Sequence, residues 1–265
     1  MEEQTTITNE NISGKIYFAS DCHLGVPDAA SSLVREKLFV AWLEEARKDA
    51  AEIYLCGDIF DFWFEYKTVI PKGFSRLLGT LSSITDSGIK VHYFTGNHDM
   101  WVFRYFTEEL GMPVYRKPIV RMINGKKMMI GHGDGLGPGD YGYKFIKKVF
   151  ANRICQVLFA WLHPRVGVGM ALFFSRRSRV ARGNTDEVFR GEDGERLLVY
   201  TKQLLAKEHF DYFIFGHRHL PLDIKLAENS RYINLGDWIS NFTYGVLDGG
   251  HFELKRFEKQ VVNFL

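Results

Sequence analysis

Aspartate, asparagine and histidine concentrate at five points of the chain. These are Ser20-Asp21-Cys22-His23, Gly57-Asp58-Ile59-Phe60-Asp61, Gly96-Asn97-His98-Asp99, Gly131-His132-Gly133-Asp134 and Gly216-His217-Arg218-His219. Each follows a short apolar run, as Ile53-Tyr54-Leu55 precedes Gly57-Asp58, so each reads as a strand end opening into a glycine-permitted turn. A hydrolytic two-metal site needs one carboxylate shared by both ions, imidazoles to fill each shell and open positions for water and substrate. Asp21, His23, Asp58, Asn97, His132, His217 and His219 offer that set, with Asp58 central. Oxygen and nitrogen donors without thiolate suit Mn²⁺, Fe²⁺ or Zn²⁺ better than Ca²⁺. Taken singly, each aspartate also reads as a turn or cap residue and each histidine as a strand end bonded to backbone. Five clusters at five strand ends read together as one site.

The elements between them are alternating at first. Strands are expected at Lys15 to Ser20, Ala51 to Leu55 and Lys90 to Thr95, and helices at Ser31 to Asp49 and Phe74 to Ser87, which predicts βαβ units. Then the pattern changes to a hairpin, Ile119 to Ile123 and Lys126 to Ile130 about Asn124-Gly125. Further strands are expected at Phe210 to Phe215, Tyr232 to Leu235 and Phe242 to Lys255, the last turning at Gly249-Gly250. Two packed sheets with helices outside fit this order. Residues 1–14 are acidic and polar and are expected to be a flexible tail ahead of one domain, 15–265.

One stretch stands apart. Lys144 to Arg182 holds nine basic residues and no acidic one; with 34 basic and 32 acidic residues in all, the remainder carries 25 against 32. Apolar residues from Phe145 to Leu162 interleave at spacings of three and four, which predicts an amphipathic helix broken at His163-Pro164. A second apolar stretch, Val166 to Phe174, follows. Neither half reaches the roughly 18 apolar residues of a spanning helix, but a basic helix with aromatic residues opposite suits a membrane surface. Residues 140–185 are therefore expected to be a helical, membrane-facing insertion. The competing reading is an apolar face used as ordinary core or as a dimer contact.

Apolar content of 46% and charged content of 25% are ordinary for a globular domain. Cys22, Cys56 and Cys155 are scattered, without C-x-x-C spacing, and read as reduced thiols of a cytoplasmic protein. A net charge of +2 gives no argument for nucleic acid, and no recognition motif accompanies the basic stretch.

The order Asp21-x-His23, Gly57-Asp58-x-x-Asp61, Gly96-Asn97-His98-Asp99, Gly131-His132 and Gly216-His217-x-His219 resembles the calcineurin-like metallophosphoesterase superfamily. The resemblance runs from about Lys15 to about Gly236 and implies a four-layer α/β/β/α sandwich. It implies that Asp21, His23, Asp58 and His219 hold one metal, and Asp58, Asn97, His132 and His217 the other, with Mn²⁺ expected. It places His98 toward a leaving group or phosphate oxygen, oriented by Asp61. Such a carboxylate favours the imidazolium form that can donate a proton.

Within that superfamily, His132-Gly133-Asp134-x-Leu136 followed by Asp140 and Tyr143, and then by a helical insertion, is similar to the UDP-2,3-diacylglucosamine pyrophosphatase family of lipid A biosynthesis. The resemblance implies a lipid-linked nucleotide substrate contacted by Asn97, His98, Asp140 and Tyr143, an acyl-chain lid and peripheral association with the inner face of an anionic membrane. No nucleic acid and no protein partner is expected. The implied reaction is attack of a two-metal-bridged hydroxide on the α-phosphorus, releasing UMP, with Arg104 as a further candidate beside His98. The sequence departs from that family at His98, where the family carries Arg; Gly-Asn-His-Asp is the wider superfamily's form. The alternatives are a metallophosphoesterase for a soluble nucleotide or phosphomonoester, a non-catalytic scaffold on the same fold, and a nuclease.

Overall fold

Strands β2 (Lys15–Ala19), β3 (Ala50–Cys56) and β4 (Lys90–Phe94) carry buried side chains on both faces. That is why their sequences are unbroken apolar runs rather than alternating ones. In β3, Ile53 and Leu55 enter one core while Tyr54 and Cys56 enter another. The computed structural model, which describes residues 8–182 and 188–258, joins these strands to β5 (Val114–Tyr115), β11 (Thr243–Asp248) and β12 (His251–Arg256). The sheet order is β12-β11-β2-β3-β4-β5, parallel from β2 to β5.

The second sheet runs β1-β6-β7-β8-β10-β9. Its strands are β1 (Asn9–Glu10), β6 (Ile119–Ile123), β7 (Lys126–Ile130), β8 (Tyr212–Phe215), β9 (Pro221–Ala227) and β10 (Ser230–Leu235). At the β6–β7 turn Asn124 and Gly125 have φ of 50° and 74°, the paired positive values that a two-residue hairpin of this hand requires.

Helices α1 (Ala29–Ala46) and α2 (Ser75–Asp86) cover the first sheet through Phe39, Trp42, Leu77 and Leu81. Phe18, Tyr54, Ile130, Ile214 and Phe252 fill the space between the sheets, and α7 (Arg196–Leu205) covers the second through Leu197 and Leu198. This is the α/β/β/α sandwich. Phe18 lies 5.0 Å from the Tyr54 ring and 5.5 Å from that of Phe252, so truncating it to Ala would cost about 3–5 kcal/mol.

Three expectations need correction. The ordered chain begins before Lys15: Asn9 and Glu10 pair with Met122 and Ile123, and the Glu10 carboxylate accepts from Arg121 Nε at 2.9 Å. An edge ladder with an ion pair holds this polar segment in place; residues 1–7 lie outside the described residues. The expected helix up to His163 is two helices, α4 (Tyr141–Ala151) and α5 (Arg153–Ala160). Asn152 stops the first and caps the second, its Oδ1 accepting from Ile154 N at 2.8 Å. Nor does their apolar face enter the core, since no residue of α4 or α5 is buried.

Pro164 opens α6 (Pro164–Arg182), at the first-turn position that tolerates it; the remainder of the expected insertion, 183–185, lies outside the described residues. Aromatic rings hold these helices to the body: Phe159 lies 4.7 Å from both Phe64 and Trp101, and Trp101 Nε1 donates to Phe150 O at 2.8 Å. Of the 17 exposed large hydrophobics among the described residues, 13 fall between Tyr141 and Phe174, so the apolar surface is concentrated here. Among the described residues no helix is long and apolar enough to cross a membrane.

Candidate metal centre

Parallel neighbours end at one edge of a sheet. Thus β2, β3 and β4 deliver Asp21 and His23, Asp58 and Asn97 side by side, and β7 and β8 deliver His132 and then His217 and His219. The loops are laced together: Asp21 N donates to Gly57 O at 3.0 Å and His23 N to Asp58 O at 2.9 Å. Nine non-glycine residues among those described have positive φ, and five of them are Asp21, His23, Asp58, His217 and His219. Each such residue costs on the order of 1–3 kcal/mol, a strain that clusters at functional sites. Gly57 is needed for closeness as well, because a Cβ there would lie 2.6 Å from His132 Nδ1.

The side chains converge. Asp58 Oδ1 accepts from His98 N at 2.8 Å, which turns Oδ2 toward both sides: it is 3.7 Å from His23 Nε2 and 3.3 Å from His132 Nε2. On one side, Asp21 Oδ1 is 3.2 Å from His219 Nε2 and 3.7 Å from His23 Nε2. On the other, His132 Nε2 is 3.4 Å from Asn97 Oδ1, and Asp58, His132 and His217 present donors within 4.8 Å of one another.

The remote ring nitrogens are anchored: His23 Nδ1 at 3.4 Å from Asp61 Oδ1, His132 Nδ1 at 2.9 Å from Cys56 O, and His219 Nδ1 at 3.8 Å from Asp237 Oδ2. Outer contacts of this kind orient metal-ligating imidazoles. Among the described residues no hydrogen-bond donor is aligned on the fully buried Asp21 Oδ1, and a cation would satisfy it. The donor set fits two divalent ions. Cys22 and Cys56 belong to the apolar cores, and burial pushes both thiols up, so sulfur is not part of it.

Electrostatics agree. Burial opposes ionisation of Asp58, but His132, His98 and His23 hold its carboxyl well below the usual range. Burial lowers His23 to about 3, helped by His98 and His219, and lowers His217 to about 4, helped by His132. Burial also opposes charge on His132, yet Asp58, Asp21 and Asp134 raise it to about 10. A proton on His132 and a dication therefore compete for the same negative well.

Asp61 and His98 stand beside this centre. His98 Nδ1 lies 3.2 Å from Asp61 Oδ1 and 3.0 Å from Asp61 O, and the His98 side chain is 14% exposed against 0% for Asp61. The ring thus faces the opening with the carboxylate behind it. Asp140 and Tyr143 line a cavity of ≈350 Å³ together with Asn97, His217 and Arg196. Arg104 is not at the site: its side chain is 81% exposed, pairs with Glu108 at 3.7 Å at the start of α3 (Tyr105–Glu108) and lines a separate cavity. A long cation one loop away from the cluster finds solvent first.

The sequence assigns no role to several supporting residues. Asp237 holds His219, and its Oδ1 accepts from Ile239, Ser240 and Asn241 N–H groups at 2.7–3.0 Å. Its signal was present, since Gly236-Asp237 follows β10 as Gly57-Asp58 follows β3. Asp134 receives Tyr143 OH and, at 2.5 Å, Lys147 Nζ, tying α4 to the His132 loop. Arg35 Nη2 donates to His23 O at 2.8 Å from α1. Ser175 on α6 donates to Asp61 Oδ2 at 3.0 Å. No sequence pattern marks these last two.

A sandwich whose sheet ends converge on a carboxylate between histidine clusters defines a metallophosphoesterase. Residues 14–221 match the family described as calcineurin-like phosphoesterase, and the chain belongs to that family. It is a metal-dependent hydrolase. It is 38% identical over 260 residues to a UDP-2,3-diacylglucosamine hydrolase of Porphyromonas gingivalis, covering 92% of this chain and 98% of that one. A UDP-2,3-diacylglucosamine hydrolase of Yersinia pseudotuberculosis is 24% identical over 225 residues, covering 83% and 90%. Among solved structures, TT1561 of Thermus thermophilus aligns over 92% of this chain and 99% of its own at 13% identity, with a TM-score of 0.43.

Proposed function

We propose that this chain hydrolyses the pyrophosphate bond of UDP-2,3-diacylglucosamine to UMP and 2,3-diacylglucosamine 1-phosphate. The reaction class is supported by one observation above all: Asp58 Oδ2 faces His23 on one side and His132 on the other. The substrate is supported by the relative named for it, nearly the whole length of which this chain spans.

In this reading Asp21, His23, Asp58 and His219 hold one ion, and Asp58, Asn97, His132 and His217 the other. Bound there, two divalent ions, Mn²⁺ first and Fe²⁺ or Zn²⁺ otherwise, supply Lewis acidity that activates water and offsets phosphate charge. His98, backed by Asp61, donates to the leaving group or a phosphate oxygen. Asn97, Asp140 and Tyr143 bind substrate in the cavity beside His217. Helices α4–α6 form a lid whose exposed Phe145, Ile154, Leu158 and Trp161 meet acyl chains and membrane, while the exposed Lys148, Arg153 and Arg165 meet anionic headgroups. In this reading the protein works in the cytoplasm, on the inner membrane face.

The test is UMP release from UDP-2,3-diacylglucosamine with Mn²⁺, beside an Asp58→Ala control, UDP-glucosamine and an aryl phosphate. Turnover of the diacylated substrate alone is expected. A second reading, a soluble nucleotide or phosphomonoester substrate, is favoured by His98 standing where the lipid family has Arg. Cleavage of the soluble compounds alone would establish it.

A further inference from the structure

We infer that Ser175 is a positioning residue for His98 and Asp61, and that through it the geometry of this pair depends on how α4–α6 sit on the body. The inference rests on the proposed role of the pair. Asp61 Oδ1 is shared, 3.2 Å from His98 Nδ1 and 3.4 Å from His23 Nδ1. A carboxylate shared in this way can rotate toward either ring. Ser175 Oγ donates to the other oxygen, Oδ2, at 3.0 Å and lies 3.5 Å from His98 Nδ1. An ionised carboxylate only accepts, so the hydroxyl proton points to Asp61. With Oδ2 anchored, the carboxylate plane is set and Oδ1 stays facing His98.

The hydroxyl comes from the insertion, 114 positions along the chain from its acceptor. Its neighbours Phe173 and Phe174 are 58% and 61% exposed, so α6 turns a polar group toward the site while presenting its rings outward. The approach of α6 is tight. A Cβ on Gly167, about two turns before Ser175, would lie 2.8 Å from Tyr66 Oη and 3.1 Å from the Phe159 ring. Phe159 in turn sits on Phe64 and Trp101 at 4.7 Å. If the helices lift, the hydroxyl leaves Asp61; if they settle, it returns. Chemistry is thereby tied to a seated insertion.

The experiment uses the full-length protein loaded with Mn²⁺ and UDP-2,3-diacylglucosamine. Ser175→Ala should lower kcat about tenfold, the scale of one lost hydrogen bond to a charged group, with KM and bound metal unchanged, and Ser175→Thr should restore most of it. Gly167→Val should lower kcat similarly, and adding Ser175→Ala to it should change little further. In histidine-labelled protein carrying diamagnetic Zn²⁺ in place of Mn²⁺, the His98 ring ¹⁵N signals should move in Ser175→Ala and stay in Ser175→Thr. Asp61→Asn and His98→Ala run in parallel. If neither of these lowers kcat, the proposed role of the pair fails. If they do and Ser175→Ala leaves kcat and the ¹⁵N signals intact, the Ser175 inference alone is overturned. A rise in KM at constant kcat would also overturn it, making Ser175 a substrate contact, and so would Ser175→Ala and Gly167→Val effects that simply multiply.

Discussion

His23 Nε2 and His219 Nε2 face each other at 3.1 Å. Their outer nitrogens look toward Asp61 and Asp237, so both rings turn Nε2 to the same point, with Asp21 Oδ1 alongside. A shared cation would satisfy all three. Adding Mn²⁺ to metal-free protein should raise its melting temperature, by about 2.7 kcal/mol of stability at a hundredfold excess over Kd. His219→Ala should bind one ion fewer and lose part of the gain. Melting curves indifferent to metal would contradict the assignment.

Gly96 allows a test that changes no ionisable group. A Cβ there would collide with the Asp58 carboxylate. Gly96→Ala should keep its far-UV circular dichroism and lose metal and turnover together. Wild-type turnover in this variant would show that Asp58 is not held as described.

Acid stability has a separate origin, between the sheets. Glu52 is buried within 2.5 Å of Arg121 Nη1 and 3.2 Å of His92 Nε2. Burial alone would raise its carboxyl, but His92 and Arg121 outweigh burial and hold it at about 2, against an ordinary 4.5. Because the folded value is the lower one, its contribution is complete above pH 4.5 and disappears as pH falls toward 2. Denaturant titrations should find Glu52→Gln less stable at neutral pH and less steeply weakened between pH 4.5 and 2. Parallel pH profiles for the two proteins would refute this.

The exposed face of α4 and α5 offers a third kind of test. Trp161 is 85% exposed and a turn from Val157 and Leu158. Trp161→Glu should lower co-sedimentation with anionic vesicles about tenfold, since it removes an interfacial anchor and adds a repelled charge. Equal partition of both proteins would remove the membrane from the proposal.

Much of this was legible beforehand, for identifiable reasons. The two-residue turn at Asn124-Gly125 and the apolar runs of β2, β3 and β4 fix their elements locally, and each metal candidate follows such a run. β9 was not legible: Pro221–Ala227 alternates half-buried and exposed residues on a sheet edge, and begins with a residue that reads as a breaker. Asn152 looked like one polar residue in a helix, because capping depends on a backbone turn the sequence does not display. Arg35 folds back from α1, 12 positions past His23, and Ser175 reaches in from α6, 114 positions past Asp61; only the packing of those helices reveals them.

The division of the centre between two sheets has a consequence for synthesis. Asp21, His23, Asp58 and Asn97 lie in the first hundred residues, while His132, His217 and His219 come later. A chain leaving the ribosome therefore carries every carboxylate of the set long before most of its imidazoles. It cannot gather the full set early, and its first sheet, which takes β11 and β12 from residues 243–256, is completed only after the strands of the second sheet have been made.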